Sequence, residues 1–573
     1  MAILTDYERQ RQENIKKNQS LLSSLSIKPL ITKRKESPSS NASTPVKKRV
    51  KLPVQDVVPP RRHATRSSMR LNGQKLAPEE LELKIKIDEE VNENASKEKE
   101  RLKHSDRTLV AESWRIKDED SESLTNGLFE SFSPSLFKPQ KSMKEEEVNL
   151  DYQNGSDDQY DRLVDELNGM RLTAMNKVCP SRIYCMTFHP TVEKNLIFMG
   201  DKVGGVGIWD AAAENRQSNK GSTSQEVKEE ASDEPDAKPV KKEEPEEEDQ
   251  EDLEPAEGRS FFIQAHPRSS VSAIQIHPTN HHLVYTACYD STVRELNFET
   301  KQSTEILDGD SLSSDEMLFS AFEFANDGRE LYCSDNSGGI SHRDLREPKE
   351  KARRWEVSKK KIGCVSLCPT SDNRWAVTAG LNREMRIWDL KILTGLSTDT
   401  ELSTLESQAC VVNYSHRLAC SSAFFNPLGN KLLSTSYDDH LRVWDLDLSQ
   451  SDTWAESDFE PTYKARHDNQ TGRWVSVFKA RWCPNPHLPS HFTVGNMKQK
   501  LDVYSSKGEL LKQFTDPYLT TVPAATAQHP SLSARIAGGT AGGKAYLWTL
   551  EMIVHVFCDI LYLSVILSIF FGL

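Results

Sequence analysis

The chain has 573 residues, enough for three or four domains, yet only 36% are hydrophobic, 28% are charged and the mean hydropathy is −0.63. This composition excludes a chain folded end to end around packed cores, and part of it is expected to be disordered. The net charge of −13 averages blocks of opposite sign: residues 1–75 carry 17 Lys and Arg against 5 Asp and Glu, and residues 211–258 carry 6 against 17.

The N-terminal sequence MAILTDYERQRQENIKK has no apolar run of signal-peptide length. Ten cysteines without a C-x-x-C spacing suggest neither a disulfide framework nor a zinc site, and point to a reducing compartment. Residues 1–168, rich in Ser, Lys, Glu and Pro, read as a disordered region that is basic and then acidic. Within it, YERQRQENIKKNQSLLSSL has the spacing of a short amphipathic helix, marginal on its own. The compact cluster Lys47, Lys48, Arg49 and Lys51 is of the nuclear-localisation type, with Ser37-Pro38 and Thr44-Pro45 beside it as sites where phosphorylation would oppose its charge.

From residue 181 onward an internal repeat with two landmarks organises the sequence. The first is an apolar residue followed by a Pro turn or its equivalent: Phe188-His189-Pro190, Ile276-His277-Pro278, Phe324-Ala325-Asn326, Leu367-Cys368-Pro369, Phe425-Asn426-Pro427, Trp482-Cys483-Pro484 and Gln528-His529-Pro530. The second is a strand ending in Trp-Asp or a degenerate form of it: Trp209-Asp210, Leu296-Asn297, Arg343-Asp344, Trp388-Asp389, Trp444-Asp445, Tyr504-Ser505 and Trp548-Thr549. Apolar runs and tight turns lie between them, as in KLLSTSYDDHLRVWDL from Lys431 to Leu446. With the insertion at 211–258 set aside, each unit takes about 46 residues, the size of one four-stranded propeller blade.

On these landmarks the chain resembles the WD-repeat family, which implies an all-β fold, a seven-bladed β-propeller over residues 169–550. The resemblance also implies that the last blade borrows its outer strand from Met170–Val178, so that residues 551–573 lie beyond the fold. The acidic insertion 211–258 follows a Trp-Asp strand end and would leave the first blade from its bottom face. It is read as a solvated loop; Lys228 and Lys241 within it match a sumoylation pattern.

No nucleophile with its base, no converging carboxylates and no metal-ligand spacing are evident, so no enzyme activity, cofactor or metal is expected. The family resemblance implies that loop histidines join structural hydrogen-bond sets, as His416, Ser436, Asp438 and Trp444 would. The loops leading into the first, fourth, fifth and sixth blades form a top rim with basic residues: Arg182, then Lys359, Lys360 and Lys361, then Arg417, and finally KARHDNQTGRW with Arg466, His467, Asn469, Gln470, Arg473 and Trp474. Cations suit phosphates, amides suit base edges, and an indole suits a disturbed stack. The bland alternative is a polar rim with no ligand, and a rival reading is an interaction scaffold whose rim holds a peptide.

The stretches PSRIYCMTFHP, KKKIGCVSLCP, HDNQTGRW and FKARWCP resemble a DNA-binding branch of the family, related to the damage-specific DNA-binding protein 2 subunit. In that subunit the Lys run before the fourth blade and the loop before the sixth contact DNA. The resemblance implies DNA contacts at Lys359–Lys361 and His467–Trp474, and a reader of hydroxymethylated or damaged DNA. It also implies a second surface, since receptors of cullin 4 ubiquitin ligases dock the damage-binding adaptor through Trp-Asp-x-Arg boxes. Here Asp344 and Arg346 lie in one degenerate box, and Trp388, Asp389 and Lys391 in another, where Lys replaces Arg. Chromatin proteins are the remaining implied partners.

Residues 552–573 are apolar and long enough to cross a bilayer. Asp559 near the middle, and the absence of Lys or Arg after Lys544, argue instead for an alternative C-terminus over a membrane tail anchor.

Overall fold

The computed structural model describes residues 157–211 and 254–550, with short breaks at 268, 314–316, 371, 450–453 and 455–458, together with 121–131 and scattered positions between 97 and 114. Its strands form seven antiparallel sheets, the blades of a propeller. Blade 1 runs through Ile183–Phe188, Leu196–Asp201, Gly205–Asp210 and Arg259–Gln264. Blade 2 holds Val271–Ile276, Leu283–Cys288, Thr292–Asn297 and Gln302–Asp308. Blade 3 holds Phe319–Ala325, Glu330–Asp335, Gly339–Asp344 and Arg353–Glu356. Blade 4 holds Ile362–Leu367, Trp375–Gly380, Glu384–Asp389 and Cys410–Ser415. Blade 5 holds Cys420–Phe425, Lys431–Ser436, His440–Asp445 and Tyr463–Arg466. Blade 6 holds Arg481–Trp482, His491–Asn496, Lys500–Ser505 and Leu510–Phe514. Blade 7 holds Pro523–Gln528, Arg535–Thr540 and Lys544–Leu550, and its outer strand is Met170–Lys177, paired antiparallel with Lys544–Leu550.

Antiparallel strands put alternate loops at opposite ends. The loops leading into each first strand and the turns between second and third strands therefore share one end, the top. Every blade bends its top turn through one residue of positive φ: Gly204, Ser291, Gly338, Arg383, Asp439, Gln499 and Gly543. At Gly338 and Gly543 a Cβ would stand 1.8 Å from Ser358 O and 2.0 Å from Cys179 O, so these turns press against the neighbouring loop at a distance only glycine permits.

The first landmark latches one blade to the next. His529 donates from Nε2 to Thr191 O of blade 1 (2.9 Å), His189 to His281 O of blade 2 (3.1 Å) and His277 to Gly328 O of blade 3 (3.2 Å). Each Nδ1 accepts backbone N–H groups of its own turn, from Ser531 and Leu532 (3.1 and 3.0 Å), Thr191 (3.2 Å), and Thr279 and Asn280 (3.3 and 3.1 Å). This fixes a neutral tautomer in all three. Cys368 and Asn426 continue the same position: Cys368 Sγ reaches Gly429 O of blade 5 (3.6 Å) and Asn426 Nδ2 reaches Ser490 Oγ of blade 6 (3.3 Å).

The second landmark fills the spaces between blades. Trp209, Trp388, Trp444 and Trp548 are buried, and Leu296, Arg343 and Tyr504 stand buried at the degenerate ends. An indole of this kind buries roughly 200 Å², worth at most about 5 kcal/mol at ~25 cal/mol per Å². In blade 5 the expected histidine set is not formed: none of Ser436, Asp438 and Trp444 hydrogen-bonds His416. His416 Nε2 meets Ser434 Oγ (2.9 Å) and not Ser436, because Ser434 faces the loop while Ser436 Oγ donates to the carbonyls of Leu418 and Ala419. Asp438 takes both Arg442 nitrogens (2.9 and 2.7 Å), and Trp444 touches His416 only edge to face, 6.4 Å between ring centres.

Parts of the region read as disordered over 1–168 belong to the fold. The helix Asp157–Gly169 buries Tyr160, Leu163 and Leu167 against Phe514, Leu519 and Trp548. Arg107–Thr108 adds a fifth strand to blade 2 beside Gln302–Ser303, and the helix Ser121–Ser131 buries Leu128 against blades 1 and 2. Arg294, fully buried, holds this strap: it donates to Lys103 O (2.8 Å), Ser105 O (2.6 Å) and Ser303 O (3.0 Å), and to Ser303 Oγ (2.9 Å). The composition of 168 residues averaged over these short apolar pieces and hid them. The ends of the 211–258 insertion are likewise structural, since Glu257 O accepts Trp209 Nε1 and Asn176 Nδ2, both at 2.8 Å.

Candidate nucleic-acid interface

The loop from His467 to Ala480 dominates the top. Its root is fastened to blade 5. His467 N donates to Asp439 O (3.0 Å), His467 Nδ1 lies 2.8 Å from Asn469 Oδ1, and Asn469 Nδ2 donates to Ser436 O (2.9 Å) and His440 O (3.3 Å). Gln470 Nε2 donates to Tyr437 O. The far side reaches across blade 7 to blade 1, where Arg182 Nη2 donates to Arg473 O (3.1 Å) and Ser476 Oγ to Ile183 O (2.7 Å). Anchored at both ends, the loop raises its tip, Gly472 to Trp474, into solvent. Trp474 is 71% exposed, and the Arg473 guanidinium lies 5.3 Å from its ring centre.

The expected rim residues therefore divide. Lys359, Lys360, Arg417, Gln470, Arg473 and Trp474 are exposed, and Arg466 is exposed at the loop's root on the outer strand of blade 5. His467 and Asn469 are buried, bonded to each other and to the backbone of blade 5, so they fix the loop's root. Arg182 and Lys361 are half-buried; Lys361 Nζ donates to Tyr289 OH (2.8 Å) and sits 4.6 Å from its ring centre. Sequence reasoning missed the apolar component, Val203, Leu381, Leu418 and Val477, exposed among these cations at turn positions where a polar residue is usual.

On the bottom face the two boxes differ. Asp344 pairs with Arg346 within its own box (2.6 Å), and that guanidinium holds the Asp344 carboxyl down to about 2. Arg343, at the position of the box tryptophan, is buried. In the second box Trp388 is buried with Nε1 on Thr378 Oγ1 (2.9 Å), while Asp389 pairs with Arg374 (2.8 Å) and caps the helix Leu390–Gly395 through the N–H groups of Lys391 and Ile392. A second helix, Leu402–Gln408, follows in the same loop. Lys391 is exposed on the first of them and Arg374 occupies the aspartate that a box arginine would take.

His266, Cys288 and Asp290 place possible metal-ligand atoms within 4.8 Å of one another in blade 2. Both His266 nitrogens are already engaged, Nδ1 by Asp290 (3.0 Å) and Nε2 by Thr286 (2.9 Å), and burial pushes the Cys288 thiol well up, so the group is a hydrogen-bonded turn. Lys47, Lys48, Arg49, Lys51, Lys228, Lys241 and the tail 551–573 lie outside the described residues. Among the described residues no helix is long and apolar enough to cross a membrane.

Residues 259–294 and 408–445 match the family described as "WD domain, G-beta repeat". Curated relatives extend the likeness along the chain. A "DNA damage-binding protein CMR1" of Cryptococcus neoformans is 30% identical over 95% of this chain and 98% of its own length. One from Aspergillus oryzae is 34% identical over 95% and 99%, and one from Aspergillus clavatus is 38% identical over 70% and 71%. With seven blades built on its repeats and this likeness along nearly its whole length, the chain belongs to the CMR1 family of WD-repeat proteins.

Proposed function

We propose that the protein is a non-enzymatic, nuclear DNA-binding protein that takes damaged or modified DNA on its top rim. The observation that carries this reading is the raised tip of the blade 6 loop, where a 71% exposed indole lies beside the Arg473 guanidinium on the same rim as the exposed cations Lys359, Lys360 and Arg417. An exposed aromatic beside an arginine suits an unstacked base and its phosphate. The names of the relatives support DNA damage as the context. The stretches PSRIYCMTFHP and HDNQTGRW resemble WD repeat-containing protein 76, which directs the reading towards DNA containing 5-hydroxymethylcytosine. Lys47, Lys48, Arg49 and Lys51 would carry nuclear import.

The test is binding of the full chain to duplexes that are unmodified, hydroxymethylated or ultraviolet-damaged, across a salt series. Five rim cations, Arg182, Lys359, Lys360, Arg417 and Arg473, give an expected slope of log K against log salt of about −4.5 at most. A flat salt response, or no binding to any duplex, refutes the proposal.

The bottom face, by this reading, offers the Asp344–Arg346 box to a cullin 4 adaptor, and other surfaces meet chromatin proteins. The exposed Leu381, Leu418 and Val477 favour a second reading, a rim that holds an apolar peptide as a scaffold. Peptide partners retained at full affinity by an Arg473→Ala variant with weakened DNA binding would support it.

A further inference from the structure

The propeller axis holds a cavity of about 410 Å³, within the range of small-molecule sites, lined by the first strands of all seven blades. Its walls run from Tyr184 and Val477 near the top to Pro190, Pro278, Pro484 and Pro530 at the bottom turns. The wall is apolar and polar in similar measure, and its cations are concentrated on blade 6. There Val477, Lys479 and Arg481 alternate along the chain and all face the cavity.

Lys479 Nζ has one hydrogen-bond acceptor, Gly363 O at 3.0 Å. Arg481 lies flat on Phe424, 3.8 Å from its ring centre, and among the described residues it makes neither hydrogen bond nor ion pair. The cavity carboxylate, Glu323, is hydrogen-bonded to Ser366 and forms no ion pair with either cation among the described residues. Burial pushes Glu323 up to about 7 against the opposing effects of the nearby Arg481 and the Ser366 hydrogen bond, which leaves it about half ionised at neutral pH. Burial also brings Lys479 down to about 8, helped by the nearby cations Arg481 and Lys361, with the Cys364 and Cys185 thiols acting in the opposite sense. Two cations facing one cavity whose lone carboxylate is only partly ionised and pairs with neither form an electrostatically incomplete arrangement.

We infer that the axial cavity is a binding site for a small phosphate monoester, with its phosphate held by Lys479 and Arg481 and its organic body packed against the apolar part of the wall. A guanidinium fork and an ammonium are the paired donors that a phosphate dianion takes best. The site is separate from the rim and does not depend on the DNA reading.

Adenosine monophosphate, glucose 6-phosphate and inorganic phosphate are titrated into the full chain, with sodium chloride of equal ionic strength as control, and followed by calorimetry and thermal unfolding. At least one organic phosphate is expected to bind with a dissociation constant below 1 mM, on the order of known metabolite sites, and more tightly than inorganic phosphate. Arg481→Met and Lys479→Met should each weaken it tenfold or more, while Arg473→Ala on the rim leaves it unchanged. Glu323→Gln removes a repelling charge at nearly constant size and should strengthen binding severalfold, which keeps the test informative if either cation variant misfolds. Failure of every phosphate to bind beyond the chloride control, unchanged binding in Arg481→Met, or weaker binding in Glu323→Gln overturns the assignment. Loss in Arg473→Ala overturns it too, since the anion would then sit on the rim.

Discussion

The histidine latches give the propeller a titratable seam. His189 and His529 are each brought down to about 4, from an ordinary 6.5, chiefly because both are buried. Their Nδ1 atoms already accept backbone N–H groups, so a proton there would face donors and break the turn. The unfolded chain takes up these protons below about pH 6.5 and the folded chain does not until about pH 4. The stability that the neutral form confers is therefore complete above pH 6.5 and is lost as the pH falls towards 4. At pH 5 the unfolded state gains a factor of roughly 30 per histidine, about 2 kcal/mol each and about 4 kcal/mol for the pair. Asp201 and Glu323, pushed by burial up to about 6 and about 7, act in the opposite sense, so the curve of the parent protein alone mixes the two. The double variant His189→Asn, His529→Asn isolates the seam, since blade 5 already uses Asn426 at that position. Urea unfolding at pH 7.5 and pH 5.0 should find the variant less stable than the parent at pH 7.5, and the gap moved in the variant's favour by about 4 kcal/mol at pH 5.0. An equal gap at both pH values refutes the latch argument.

Three further outcomes are expected. Trp474→Ala should weaken DNA binding by ~1–3 kcal/mol without changing the salt slope, whereas Arg473→Ala should reduce the slope by about 0.9; fluorescence anisotropy in two salt series separates them. Arg294→Met removes a buried guanidinium with four hydrogen bonds and should cost ~1–3 kcal/mol for each buried acceptor left unpaired, first seen as faster amide exchange at 105–112 before the rest of blade 2. If the first box docks a ligase adaptor, Asp344→Ala should lower adaptor capture while the melting temperature stays within 1–2 °C, as expected for an exposed pair worth ~0–1 kcal/mol; capture equal to the parent's excludes the box.

The blade count and the strand end at Asp210, after which the insertion leaves, were legible in the sequence because they depend on spacings that the chain repeats, whereas the closing strand, found at Met170–Lys177, was expected at Met170–Val178 only through the family resemblance. The His-Pro, Cys-Pro and Asn-Pro turns announced themselves as turns, but their reach into the next blade did not, since that contact depends on how two blades pack. Single side chains in irregular loops were the least legible. His467 and Asn469 carry the same residue chemistry as Gln470, yet the loop turns the first two inward and the third outward. Arg294 reads in sequence like the Arg386 and Arg442 of other repeats, and only the strap lying over it gives it a distinct part. Lys479 and Arg481 were hidden because facing a shared axis follows from closure of the ring, which no local window contains.

Closure has a consequence for how the molecule is made. Thr173 on the closing strand meets Leu547 across 374 residues of chain. At ~5–20 residues per second the ribosome needs roughly 20–75 seconds to supply that partner. Throughout that interval the strand Met170–Lys177 has no blade to join, and the intervening blades stand as an open arc with two raw edges, the kind of surface that pairs with other chains. Biogenesis of this protein should accordingly depend on chaperones that shield edges until the final strand emerges, and a nascent chain stopped short of Lys544 should be held by them indefinitely.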